Sequence, residues 1–205
     1  MKWLTFEPAG APDPSLMRNK TKRPRMTAGR AAVLALIRRY LATGFGYSVS
    51  LLEIQKLVYF LTEAGEEMRQ VTFVKHHYGP YADVLRHVLE KMDGHFISGY
   101  GDGHNKPETP VALLAEADRE AEAYLEGYPQ TRERIDRVAE LIEGFETPYG
   151  MELLATVHWA GTRDAATTPH DALQVIRTWN PRKADLMRPE HVDAAWRRLA
   201  ENSWF

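Results

Sequence analysis

Between Lys75 and Asp102 the chain reads KHHYGPYADVLRHVLEKMDGHFISGYGD, and titratable and aromatic side chains crowd together there. Lys75, Tyr78, Tyr81, Arg86, His87, His95 and Tyr100 supply cations and ring faces. Asp83, Glu90, Asp93 and Asp102 supply carboxylates. Tyr and Arg predominate at binding hot spots. These residues form the candidate partner-binding surface, with Tyr78 and also Phe96 expected to pack in the core.

The same stretch carries no catalytic constellation. The chain has no G-x-S-x-G, no P-loop and no H-E-x-x-H, so no catalytic residue is assigned. Gly99-Tyr-Gly-Asp-Gly103 has the look of a phosphate loop. His104-Asn-Lys-Pro107 follows it in place of a helix, so no helix N-terminus is there to hold an anion, and the reading is a tight turn. His76 and His77 are adjacent on a strand and point to opposite faces, so they do not share a metal. With no cysteine and no carboxylate at a recognised ligand spacing, neither a metal nor a cofactor is expected.

The elements that position this surface are legible from caps and periodicity. Ser50 and Glu53 make an S-x-x-E capping box. Ile54, Leu57, Val58 and Leu61 then recur at helical spacing, Gln55, Lys56, Tyr59 and Glu63 fall on other faces, and Gly65 stops the helix. Val71 to Tyr78, β-branched and aromatic, reads as a strand. Tyr78-Gly79-Pro80 is a turn with Pro80 at the first position of a helix. Val84, Leu85, Val88 and Leu89 give that helix its buried stripe, and Gly94 ends it. His95 to Tyr100 reads as a short strand, to which Val111 to Leu114 is the candidate partner.

At these residues the chain resembles a known family. The runs LLEIQKLVYFLTEAGE, K-x-x-YGPYA-x-x-LRHVLE and GHFISGYGDG, in order and at close spacing, look like the C-terminal, toxin-binding domain of DarG antitoxins from DarT–DarG toxin–antitoxin systems. More loosely, QKL-x-YF and YGPY are similar to antitoxin domains of the Panacea type. The likeness is densest from about Thr21 to Gly103 and is general helical character from Pro107 onward. It implies a partner, a DarT-type toxin that uses NAD to attach ADP-ribose to thymidine in single-stranded DNA. It also implies a role: binding that toxin and covering its DNA groove as a single-stranded DNA mimic, as a monomer or a one-to-one heterodimer. In the family a macrodomain before this region removes ADP-ribose from DNA. Only Met1 to Met26 precede the region here, so the expectation is a domain without that hydrolase activity, and not an enzyme.

Composition sets the frame. A chain of 205 residues, 44% hydrophobic and 26% charged, can bury a core and has the balance of an ordinary globular protein. Net charge is −2, so no global attraction to nucleic acid or membrane is implied. The absence of cysteine, of a long apolar run and of a signal-peptide core fits a cytoplasmic protein with no membrane contact.

Charge is uneven along the chain. Residues 1–26 are proline-containing and read as a linker or arm, in which Trp3, Leu4 and Phe6 are apolar enough to dock. From position 18 to 39 the charged residues are Arg18, Lys20, Lys22, Arg23, Arg25, Arg30, Arg38 and Arg39, with no acid, so a weak DNA contact through 18–39 is expected. Thr27 caps a helix to about Thr43, with Val33, Leu36, Ile37, Tyr40 and Leu41 on one face. From Glu116 to Phe145 the chain is helical and acidic, dividing near Gly127-Tyr128-Pro129. It reads as a solvated face or, more sharply, as an anionic ladder imitating a DNA backbone. Thr147-Pro148, Thr168-Pro169 and Pro189 start three more helices, Asn180-Pro181 breaks the second, and the final Trp-Phe is expected to pack back on the body.

The expected fold is mostly α: a single helical domain over 27–205 with a small two- to three-stranded antiparallel sheet, an α+β arrangement. The alternative function is a helix-turn-helix-like nucleic-acid-binding module acting in autoregulation, resting on the basic arm and the C-terminal helices.

Overall fold

The computed structural model describes residues 22–42, 48–101 and 106–205. In chain order its elements are α1 (Ala28–Ala42), β1 (Val49–Ser50), α2 (Leu51–Glu63), β2 (Val74–His76), β3 (Gly79–Tyr81), α3 (Val84–Met92), β4 (Ile97–Ser98), β5 (Pro110–Leu113), α4 (Ala115–Leu125), α5 (Pro129–Ile142), α6 (Pro148–Arg163), α7 (Pro169–Trp179), α8 (Pro181–Leu186) and α9 (Pro189–Glu201). The architecture is mostly α with small antiparallel sheets, the expected class. Among the described residues no helix is long and apolar enough to cross a membrane. Trp3, Leu4, Phe6, Arg18, Lys20 and Asp102, all singled out from the sequence, lie outside the described residues.

Local chemistry accounts for the helix starts. The Glu53 carboxylate accepts the Ser50 N–H at 2.8 Å and also the hydroxyls of Ser50 and Tyr40, so the capping box is locked from both sides within the core. The Thr147, Thr168 and Asn180 side chains accept the N–H groups of Gly150, Asp171 and Lys183, each one residue before a helix-opening proline. Asn180-Pro181 therefore begins a helix as well as ending one.

α1 packs on α4 and α5, α2 packs on α6, and α6 is backed by α7 and α9. α2 is buried from Leu52 to Leu61 without a gap, because Tyr59 and Phe60 fill the faces that its leucine stripe leaves. The C-terminus folds back as expected for Trp204, which is 6% exposed and edge-on to Phe60 with ring centroids 5.4 Å apart. Phe205 touches Trp196 but stays half exposed.

The expected pairing of His95 to Tyr100 with Val111 to Leu114 forms, as β4 against β5, but the strand read over Val71 to Tyr78 lies outside that sheet. Instead β2 pairs antiparallel with β3, Val74 opposite Tyr81 and Lys75 opposite Pro80, as a separate two-stranded sheet. Pro80 is thus a strand residue, not the first residue of a helix; in so short a ribbon its missing N–H costs no ladder bond to a third strand. The other sheet has the order β1-β5-β4, with Val49 opposite Val111 and Ile97 opposite Leu113. Gly99, at φ +96, is required at its edge, since a Cβ there would lie 2.5 Å from the Pro110 carbonyl oxygen.

The acidic ladder and the basic arm turn out to face each other. Arg23 pairs with Glu120, Arg38 with both Asp118 and Glu122, and Arg39 with Asp136. Asp118, Glu120, Glu122 and Asp136 are therefore counter-ions for α1 and the segment before it. These four carboxylates are not free to imitate a DNA backbone, and Arg23, Arg38 and Arg39 are engaged within the chain.

Candidate functional site

The β2–β3 hairpin is fastened to the helices on two sides. Gln55 of α2 offers its amide to Ala82 as a second backbone would: its Nε2 donates to the Ala82 carbonyl at 3.1 Å, and its Oε1 accepts the Ala82 N–H at 3.0 Å. From the other side Trp179 Nε1 donates to the His76 carbonyl at 2.9 Å and Asn180 Nδ2 to the His77 carbonyl at 3.0 Å. Gly79, at φ +90, lets β3 lie against α6, where a Cβ would meet Thr156 Oγ1 at 3.0 Å.

This anchored hairpin, the start of α2 and the inner face of α3 enclose a pocket of about 370 Å³. Leu51, Leu52, Leu89 and Pro107 give it apolar walls, while Gln55, Lys56, His76, Tyr78, Tyr81, Asp83, Arg86 and Tyr100 give it polar and aromatic groups. The His76 and Tyr81 rings lie 4.8 Å apart. The Tyr81 hydroxyl donates to Asp83 at 3.3 Å, and Asp83 lies 3.8 Å from Arg86. Arg182 sits over the Tyr78 ring at 4.7 Å.

The expected surface residues divide. Tyr78, Tyr81, Asp83, Arg86 and Tyr100 come together in the pocket. Lys75 leaves it, bound to Asp164 at 2.8 Å and lying over the Trp179 ring. His87 and Glu90 pair with each other on exposed turns of α3, 3.6 Å apart. Asp93 is turned inward and accepts the N–H groups of Tyr100 and Gly101. His95 is half-buried in the turn after α3 and does not line the pocket. Gln55, Lys56 and His76 are the pocket residues that the sequence reading did not place. Helical spacing assigned Gln55 and Lys56 to faces away from the stripe, yet a helix apolar on every side has no solvent face for them, and that is the signal that would have found them.

Beneath the hairpin lies a buried ionic cluster. Glu152 of α6, 1% exposed, accepts from Lys183 at 2.6 Å and from Arg182 at 2.7 Å. Burial favours protonation of Glu152, but the bonds from Arg182 and Lys183 outweigh it and hold the carboxyl below the usual range. Burial pushes the Lys183 ammonium down against the pull of Glu152. Lys56 is pushed down to about 7, by burial first and then by the Lys183 charge, with Glu152 opposing. Elsewhere, His158 is buried between Tyr59 and the Trp204 carbonyl, and its burial holds it down to about 4, so it is a neutral core residue. Among the described residues no three His, Cys, Asp or Glu side chains gather to hold a metal ion.

No family model matches the chain. It is 43% identical over 183 residues, 89% of its own length, to a protein of Thermus aquaticus named DNA ADP-ribosyl glycohydrolase. Proteins of the same name from Mycobacterium bovis and Mycobacterium tuberculosis are each 36% identical over 187 residues, 85% of this chain. The chain spans about half the length of these relatives, 49% of the first and 53% of the others. Their name overturns the expectation of a non-enzymatic DarG-type antitoxin domain acting as an inhibitor and DNA mimic, because it describes a hydrolase that acts on ADP-ribosylated DNA. Asp118, Glu120, Glu122 and Asp136 of α4 and α5 are already engaged by arginines of the same chain, which weakens the physical basis of the mimicry. The same name also displaces the alternative of a helix-turn-helix-like nucleic-acid-binding module. The resemblance thus led to proteins that act on ADP-ribose attached to DNA, but withheld the activity in their name from this chain.

Proposed function

We propose that this chain serves in the hydrolytic removal of ADP-ribose from DNA, and that the pocket between the hairpin, α2 and α3 receives the modified nucleotide. The observation that carries the reading is the meeting, in one pocket, of ring faces (His76, Tyr78, Tyr81), a cation (Arg86) and a carboxylate (Asp83). Likeness over most of the chain to glycohydrolases of that name supports it. A ring face can stack on a base, and a guanidinium suits a phosphate.

Hydrolysis requires water to add to the ribose carbon of the glycosidic bond as the bond to DNA breaks and the DNA atom takes up a proton. The transition state is oxocarbenium-like, and a carboxylate beside it both holds the water and offsets the positive charge. Asp83 is the carboxylate lining the pocket among the described residues. It takes that role here, oriented by Tyr81 and Arg86. The test is release of labelled ADP-ribose from a modified single-stranded oligonucleotide. Wild-type chain should release it, and Asp83→Asn should slow release by about a hundredfold or more.

Two partners are proposed with this reading. DNA contact through 18–39 would compete with the pairs that Arg23, Arg38 and Arg39 make within the chain. Association with a DarT-type transferase, the enzyme class that would make the substrate, is proposed apart from any inhibition of it. Co-purification tests that association.

A further inference from the structure

The buried charge beside the pocket does not balance. α2, α6 and α8 bring Lys56, Lys183 and Arg182 around one carboxylate, Glu152. Lys183 and Arg182 share that carboxylate at 2.6 and 2.7 Å. Lys56, only 2% exposed, donates to the Pro80 carbonyl at 2.8 Å and makes no ion pair with any described carboxylate. An ammonium carries three donors, and a buried charge is costly without a counter-charge. Tying the hairpin down does not call for a cation, because Gln55, one residue earlier, holds Ala82 with a neutral amide. Lys56 nevertheless lines the pocket from α2, as Arg86 does from α3.

We infer that Lys56 is the anchor of an anion-binding subsite that takes a phosphate or pyrophosphate group entering the pocket beneath the 79–81 strand. The inference rests on the reading of this pocket as the nucleotide site, but not on hydrolysis there. An incoming anion would supply the missing counter-charge and raise the proton affinity of Lys56, which burial has lowered. Lys183 and Glu152 bear on this titration from beneath, and the titratable or charged groups that share the pocket with Lys56 are His76, Tyr78, Tyr81, Asp83, Arg86 and Tyr100. The anion has two natural sources, the pyrophosphate of ADP-ribose and the DNA backbone.

Calorimetric titration of the full chain with free ADP-ribose, and separately with an unmodified single-stranded oligothymidylate, distinguishes those sources. ADP-ribose should bind at pH 6 and bind at least roughly tenfold more weakly at pH 9, where free Lys56 is largely neutral. Lys56→Met should lose roughly tenfold or more of the pH 6 affinity while melting no lower than wild type, since it removes an unpaired buried charge. Oligothymidylate behaving in this way, with ADP-ribose silent, would assign the subsite to the DNA backbone. If Lys56→Met fails to fold, wild-type protein with labelled lysine ε-carbons still decides the matter. Saturating ligand should move the lysine signal that titrates near 7 upward by about one unit or more. Silence of both probes at pH 6, or equal binding by folded Lys56→Met, overturns the subsite. Binding that follows this pattern without any ADP-ribose release would leave the subsite standing and sink only the hydrolase reading.

Discussion

Two regions of this molecule handle charge in opposite ways. Along the seam between α1 and the α4–α5 pair, Arg23, Arg38 and Arg39 each meet a carboxylate, and all of these side chains are 30% or more exposed. Beneath the hairpin, Lys56, Lys183 and Glu152 are at most 2% exposed, and cations outnumber the acid. Exposed pairs contribute about 0–1 kcal/mol each, so the seam sets which helices lie together more than how stable they are. A buried ion costs several kcal/mol before any partner repays it. An imbalance is tolerable at the surface and expensive inside, so the interior imbalance is the feature that points to a ligand.

The comparison is broken most severely by removing the acid of the cluster beneath the hairpin. Glu152→Gln leaves Lys183 and Arg182 without their carboxylate and should destabilise the protein by ~3–5 kcal/mol in urea unfolding. A loss below that of an exposed pair would mean the cluster is wetter than its burial indicates.

Stability against pH sharpens the same contrast. The Lys56 ammonium is lowered from 10.5 to about 7 in the folded chain, so between those values the unfolded state binds more protons. Unfolding free energy should therefore rise with pH across that window, by at most about 1.4 kcal/mol per pH unit from this group. Below about pH 7 both states are protonated, and the full cost of burying the charge is felt. Lys183, lowered in the same direction, adds to the slope. Lys56→Met should flatten the rise; an unchanged slope would move its origin to another group.

Gly79→Ala tests how tightly β3 must lie on α6. At φ +90, with Thr156 Oγ1 at 3.0 Å from the new Cβ, the change should cost ~1–3 kcal/mol and weaken ligand binding at the pocket. The smallest effect belongs to the seam: Arg39→Ala should shift stability by about 1 kcal/mol or less, and by less still at high salt.

What was legible in the chain followed the range of the interactions. Helices announced by an adjacent cap and proline, at Thr147-Pro148 and Thr168-Pro169, form where the local pattern put them, because the signal and the bond it makes lie within one turn. The hairpin was missed because β3 is three residues long and contains a proline that also suits a helix start; only its pairing with Lys75 decides between the two. The acidic run and the basic arm are separate features in the sequence, because charges that neutralise each other, such as Arg39 and Asp136, belong to helices distant in sequence. Lys56 was placed on an outer face because a leucine stripe implies an opposite, solvated side, whereas Tyr59 and Phe60 bury that side too. The pocket was half visible: Tyr81, Asp83 and Arg86 stand close in sequence, whereas their partners on α2 meet them only in the fold.

The most direct measurement is release of ADP-ribose from a modified single-stranded oligonucleotide by wild-type chain, by Asp83→Asn and by Lys56→Met. The pocket reading predicts release by wild type, loss with Asp83→Asn, and with Lys56→Met a weakened substrate affinity at little-changed turnover. No release by folded wild-type chain above a buffer control, or release that Asp83→Asn leaves unchanged, would contradict it.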